Sequence, residues 1–138
     1  MFVDASAIVA ILNSEPQADA FADAIEANAS TVTSPIAIFE AALALCRTRH
    51  TTVEDAAADV EEFLRVAGIQ CLPITQKEAQ TALAAYARYG KGRGHPAQLN
   101  LGDCFAYAMA RNQAIPLLFK GDDFTKTDIE PIPPQMRS

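Results

Sequence analysis

The chain has 138 residues, of which 50% are hydrophobic and 20% charged, and its formal net charge is −6. That length and apolar content fit one compact domain over residues 1–138 and exclude a chain disordered throughout. The acidic balance argues against a protein that holds nucleic acid by bulk electrostatics, while leaving room for a carboxylate cluster that is neutralised by cations in use.

The opening Met1-Phe2-Val3 is a short apolar run, consistent with a buried strand. The N-terminal stretch carries Asp4 and no basic segment, so it is a poor export signal and a cytoplasmic protein is expected. Ser6 is placed to cap a helix ending near Asn13, which leaves Asp4 without a capping role. Glu15-Pro16 starts a second helix to about residue 27, and Thr31-Val32-Thr33 reads as a second strand. Ser34-Pro35 is a helix start with serine as N-cap and proline in the first turn, and this helix should run to about residue 49. Thr52-Val53-Glu54-Asp55 opens a helix with an acidic first turn that stops at Gly68.

Ile69 to Leu72 is a third strand, and residues 76–89 form a helix. The glycine-rich stretch Gly90 to Pro96 is a loop. Residues 101–112 form another helix, and Leu117-Leu118-Phe119 is a buried strand. A last short strand is expected at Ile129 to Ile132, with the tail from about residue 133 loose. Strands alternating with helices predict a mostly parallel sheet covered on both faces. No apolar run approaches the roughly 20 residues that span a bilayer. Cys46, Cys71 and Cys104 contain no CxxC and read as buried free thiols.

In such a sheet, ligands bind at the carboxyl ends of the strands, and acids fall there. Asp4 ends the first strand. Glu40 lies among Ile36, Phe39 and Leu43, which mark an apolar helix face by their spacing. A carboxylate in that stripe is costly unless paired or metal-bound, or else it lies at the edge and reaches solvent. Asp103 either closes a capping box with Asn100 or points into the cleft. Asp122 and Asp123 follow the last buried strand, where Gly121-Asp-Asp is also turn chemistry. Four carboxylates at one sheet edge repel each other without cations, and Mg²⁺ prefers such oxygen ligands. No serine–histidine pairing is present, and His50 and His95 read as solvated or substrate-facing.

Four segments in this order, FVDASA from Phe2, SPIAIFE from Ser34, LGDCFAYA from Leu101 and LLFKGDDFTKTD from Leu117, resemble PIN-domain proteins, specifically the VapC-type toxins of bacterial toxin–antitoxin pairs. The resemblance covers nearly the whole chain. It implies an α/β/α sandwich around four or five mostly parallel strands. It also implies a Mg²⁺-dependent endoribonuclease, with Mn²⁺ as a substitute, that hydrolyses RNA phosphodiester bonds. Asp4, Glu40 and Asp103 match the three principal acids, and Asp123 matches the fourth better than Asp122 does. In the implied arrangement Asp4 and Asp103 anchor a metal directly, while Glu40 and Asp123 complete its shell through water or hold a second ion. Ser6 matches a small hydroxyl residue that bonds a metal ligand or the substrate. The resemblance further implies a homodimer and a VapB-type antitoxin laid over the acidic groove, with transfer or ribosomal RNA as candidate targets.

RNA contacts need positive charge. Arg88, Lys91, Arg93 and His95 lie within eight residues free of acids, and Arg47, Arg49 and His50 form a second group. Both can grip phosphates, or they are an ordinary solvated loop and a helix terminus with favourable cations. Tyr86, Tyr89 and Tyr107 at helical spacing read as core rather than as base-stacking platforms. The competing reading is a catalytically silent PIN-like module that binds RNA or protein, with the acids serving as caps. A phosphatase is disfavoured because Ser6 stands where a second aspartate would be. A receiver domain is disfavoured because the third strand ends Cys71-Leu72-Pro73 without an acceptor aspartate.

Overall fold

The computed structural model describes residues 1–129. Four two-residue strands, β1 (Phe2–Val3), β2 (Val32–Thr33), β3 (Gln70–Cys71) and β4 (Leu117–Leu118), form a parallel sheet in the order β3-β2-β1-β4. Phe2 is in register with both Val32 and Leu117. The helices that connect and flank these strands are α1 (Ala5–Leu12), α2 (Ala18–Ala27), α3 (Pro35–Arg49), α4 (Val53–Ala67), α5 (Gln76–Tyr89) and α6 (Leu101–Gln113), and a 3₁₀ turn covers Asp123–Lys126. The chain winds outward from β1 to β2 and β3, then returns to the other side of β1 as β4. The strand order therefore reverses at β1, and the crevice between the carboxyl ends of β1 and β4 is the switch point where such sheets bind ligands.

Phe2, Val3, Leu117 and Leu118 are fully buried, as a strand covered on both faces requires. Thr33 is also fully buried, and its hydroxyl donates to the Val3 carbonyl at 2.8 Å, tying β2 to β1. The helix starts follow the sequence closely. Ser34 caps α3 through Ala37 N–H with Pro35 in the first turn, Thr52 caps α4 through Asp55 N–H, and Gly68 ends α4 at φ +71°. No described helix is long and apolar enough to cross a membrane.

Several sequence expectations are corrected. Asp4, not Ser6, is the N-cap of α1, because its carboxylate accepts the Ser6 N–H. The second helix starts at Ala18, two residues after Pro16. On α3 the core face is Ala37, Ala41, Ala42 and Leu45, and Phe39 is 64% exposed. Small residues let α3 approach its neighbours closely, so the largest apolar side chain is left outside. Of the three thiols only Cys104 is buried, while Cys71 is exposed on the edge strand β3. Ile129, the last described residue, is buried outside any strand, and the rest of the expected final strand and the tail lie outside the described residues.

Candidate active site

Three elements and one loop deliver four carboxylates to the switch point. Asp4 leaves the end of β1 and is only 6% exposed. Its Oδ2 accepts the Ser6 backbone N–H at 3.1 Å and the Ser6 hydroxyl at 2.6 Å. Ser6 Oγ in turn accepts the Lys120 N–H at 3.0 Å. One hydroxyl thus couples the acid after β1 to the chain after β4. Burial raises the Asp4 carboxyl pKa above its ordinary range, against the opposing Ser6 hydrogen bonds.

Asp103 sits in the first turn of α6. Both halves of the capping box are formed: Asp103 N–H donates to Asn100 Oδ1 at 2.9 Å, and Asn100 N–H donates to Asp103 Oδ2 at 3.1 Å. The two readings of Asp103 are therefore compatible, because the same carboxylate caps the helix and feels the other acids. Its pKa is pushed up to about 7, first by burial and then by the charges of Asp4, Asp123 and Glu40, with the Asn100 hydrogen bond opposing. Glu40, half-buried on α3, is also raised, by burial and by the charge of Asp4. Of the two adjacent aspartates, it is Asp123, the first residue of the 3₁₀ turn, that acts on Asp103. Asp122 occupies the preceding cap position without a side-chain capping bond.

Glu40 reaches this cluster across the first turn of α6. A Cβ placed on Gly102 would lie 2.1 Å from Glu40 Oε2 and 2.2 Å from Oε1. Only a glycine leaves room for the carboxylate there. Sequence reasoning quoted Gly102 within a motif but missed this contact, since nothing in the spacing of residues 40 and 102 reveals that α3 and α6 meet at this point. Among the described residues, no group of three or more carboxylate, imidazole or thiol side chains stands close enough together to hold a metal ion as the side chains lie here.

The basic residues divide. Arg88 sits 3.8 Å from Asp128, a carboxylate also held by Arg111 at 2.8 Å and by the Tyr107 hydroxyl at 2.5 Å, and it lies over the Tyr89 ring. Lys91 and Arg93 are exposed in the turn after α5 and have no ion pair among the described residues. His95 is turned inward: Nδ1 accepts the Ala97 N–H at 3.0 Å, and the ring packs edge-on against Tyr89. His50 ends α3 in the left-handed conformation. Tyr89 and Tyr107 are core residues, as their spacing suggested, whereas Tyr86 is exposed.

The PIN domain family matches residues 1–130, nearly all of the chain. The protein belongs to the PIN-domain family. Within it, the chain is 42% identical over 131 residues to the ribonuclease VapC28 of Mycobacterium tuberculosis, covering 94% of this chain and 96% of that one. It is 40% identical over 139 residues to a VapC ribonuclease of Rhizobium meliloti, with 93% and 98% coverage. The crystal structure of VapC20 of Mycobacterium tuberculosis, described as a toxin that cleaves the sarcin–ricin loop, superposes with a TM-score of 0.76 at 16% identity, over 95% of this chain and 97% of that one. This PIN domain therefore shares its fold with that toxin and groups by sequence with the VapC ribonucleases.

Proposed function

We infer that the protein is the ribonuclease toxin of a VapBC-type pair and that it hydrolyses RNA phosphodiester bonds with Mg²⁺, or Mn²⁺ in its place. The observation that carries this reading is the convergence of Asp4, Glu40, Asp103 and Asp123 at the switch point, with the Asp103 carboxyl pushed up to about 7 first by burial and then by the charges of the other three. The donor set fits a hard divalent cation. Mg²⁺ keeps several of its waters and binds through one or two carboxylates, so a closed protein cage is not required. When bound, such an ion activates the attacking water and stabilises the leaving oxygen.

Asp4 and Asp103 would hold the ion directly, with Glu40 and Asp123 completing its shell through water. Both Ser6 hydrogen bonds fall on one Asp4 oxygen, which fixes the plane of that carboxylate. Ser6 thus acts through Asp4 and not on the substrate. Asn100 does the same for Asp103. Lys91 and Arg93, and Arg88 with its loose 3.8 Å pair to Asp128, are the basic residues of this stretch that would meet RNA phosphates. A VapB-type antitoxin and a second copy of the chain are the protein partners this reading entails.

The test is cleavage of total small RNA by the antitoxin-free protein in Mg²⁺, in Mn²⁺ and in EDTA, beside Asp4→Asn and Asp103→Asn. Discrete fragments that need metal, and a loss of at least about 100-fold in rate for each variant, are expected. Full activity of Asp103→Asn would remove that residue from the site. Neither cleavage nor metal binding by the parent protein would instead support a silent binding module with the acids as caps.

A further inference from the structure

We propose that the cleft beside Glu40 is a second phosphodiester site, in which Arg47 and Lys120 hold the RNA backbone next to the bond that is cut; this rests on the ribonuclease reading above. The cleft measures about 320 Å³ and is lined by Ser6, Glu15, Glu40, Ala44, Arg47 and Lys120 among its residues. That volume lies in the range of small-ligand sites. The cleft shares Ser6 and Glu40 with the acid cluster, so a chain lying in one continues into the other.

Its charges are arranged for a phosphate. Arg47 follows Glu40 by two helical turns on α3, which places both on one face. Arg47 has no carboxylate partner among the described residues, unlike Arg49 two residues on, which pairs with Asp59 at 2.9 Å. Lys120 is fixed from below, because its N–H donates to Ser6 Oγ at 3.0 Å, and its ammonium rests on Glu15. Two cations therefore face two carboxylates, Glu15 and Glu40. A divalent cation at the acid cluster would weaken the hold of Glu40 on these cations and leave them freer to meet a phosphate beside the acids. Of the other cations without an ion pair among the described residues, Lys77 lies in α5, Lys91 and Arg93 in the turn after α5 and Lys126 in the 3₁₀ turn, and none of them lines this cleft. A guanidinium presents a planar fork that suits phosphate oxygens. The position of Arg47 in the last turn of α3 also complements the helix dipole, a role that involves no RNA and that the test separates.

The probe is a fluorescein-labelled single-stranded RNA of mixed sequence, titrated by anisotropy in Ca²⁺ buffer at several salt concentrations. Arg47→Gln and Lys120→Gln are each expected to weaken binding about 10-fold and to make the slope of log K against log salt less negative by about 0.7. Arg47→Lys keeps the charge and should keep the slope. Arg65→Gln removes the same charge from the exposed face of α4 and should change neither quantity. Melting curves identify any variant that fails to fold, in which case Arg47→Lys and Lys120→Gln carry the comparison. Wild-type slopes in both glutamine variants, with the parent protein cleaving RNA normally, would overturn the site and leave the ribonuclease reading standing. Slopes made less negative as expected in the two glutamine variants, with a parent protein that cleaves nothing with any metal, would establish Arg47 and Lys120 as an RNA-backbone site while overturning the ribonuclease reading. A parent protein with no salt-dependent RNA binding would overturn the site.

Discussion

An ideal Cβ on Gly102 would fall inside the van der Waals envelope of the Glu40 carboxylate, 2.3 Å from its Cδ. Glycine inside a helix is worse than alanine by up to about 1 kcal/mol, so Gly102→Ala gains helix propensity while displacing a carboxylate. That displacement is cheap for the fold, because the far end of a flexible side chain moves, and expensive for the site. A misplacement near 1 Å at a reacting centre is worth about 100-fold. Gly102→Ala is expected to lower kcat by about 10- to 100-fold, with KM near that of the parent and a melting temperature no lower. Steady-state cleavage beside a melting curve checks both halves, and an unchanged kcat would show that Glu40 does not need its present position. Ser6 teaches the same lesson from the other side. Its type and place two residues after Asp4 were legible. The sequence could not show that its hydroxyl is spent on Asp4 and Lys120, because the second partner lies 114 residues away.

Between elements, α5 and α6 are joined by a polar staple remote from the four acids in sequence. Glu78 accepts the Thr75 N–H at 2.8 Å, the Thr75 hydroxyl at 2.6 Å and the Asn112 amide at 3.1 Å, and Thr81 donates to the other end of Asn112 at 3.0 Å. These bonds hold the Glu78 carboxyl down to about 2. A group with a depressed folded pKa contributes stability that is complete above its ordinary value and is lost as pH falls through the folded one. Glu78→Ala should therefore cost about 2 kcal/mol at neutral pH, and the gap to the parent should close as pH falls from 4.5 toward 2. Urea melts across that range check it, and a gap that persists unchanged at the acid end would rule out the carboxylate as its source. The folded variant should cleave RNA at the parent rate. Element boundaries were legible wherever local chemistry sets them: Ser34-Pro35, Thr52 and Gly68 all mark real ends. The inward face of α3 was not legible, because in an alanine-rich helix the contact face follows close approach and not side-chain size. Ala37 and Ala41 are buried, and Phe39 is not.

For the whole molecule, the site is a charge problem set into an already acidic chain of net charge −6. Burying carboxylates near one another destabilises the fold that holds them, and the excess is relieved only when a proton or a cation arrives. Asp103 shows the sign. Its folded pKa is about 7 against an ordinary 3.8. Between those values the folded state binds a proton that the unfolded state has released. Stability without metal must then fall as pH rises from about 4 to about 7 and stay low above that. Glu40 and Asp4 are raised as well and act in the same direction. In EDTA, Asp103→Asn keeps an acceptor for the Asn100 N–H but carries no charge, so it should melt higher than the parent at pH 8. The expected gain is on the order of 2 kcal/mol once the residue's partial exposure is discounted, and it should vanish near pH 4. Saturating Mg²⁺ should stabilise the parent, by about 2.7 kcal/mol at one hundred times its Kd, and leave the variant nearly where it was. The variant that is more stable without metal is thus the one expected to be inactive with it, a trade between stability and activity. Equal melting of parent and variant across the pH range in EDTA would mean that the four carboxylates do not strain the fold. A cation at the switch point would then have only the family resemblance in its favour.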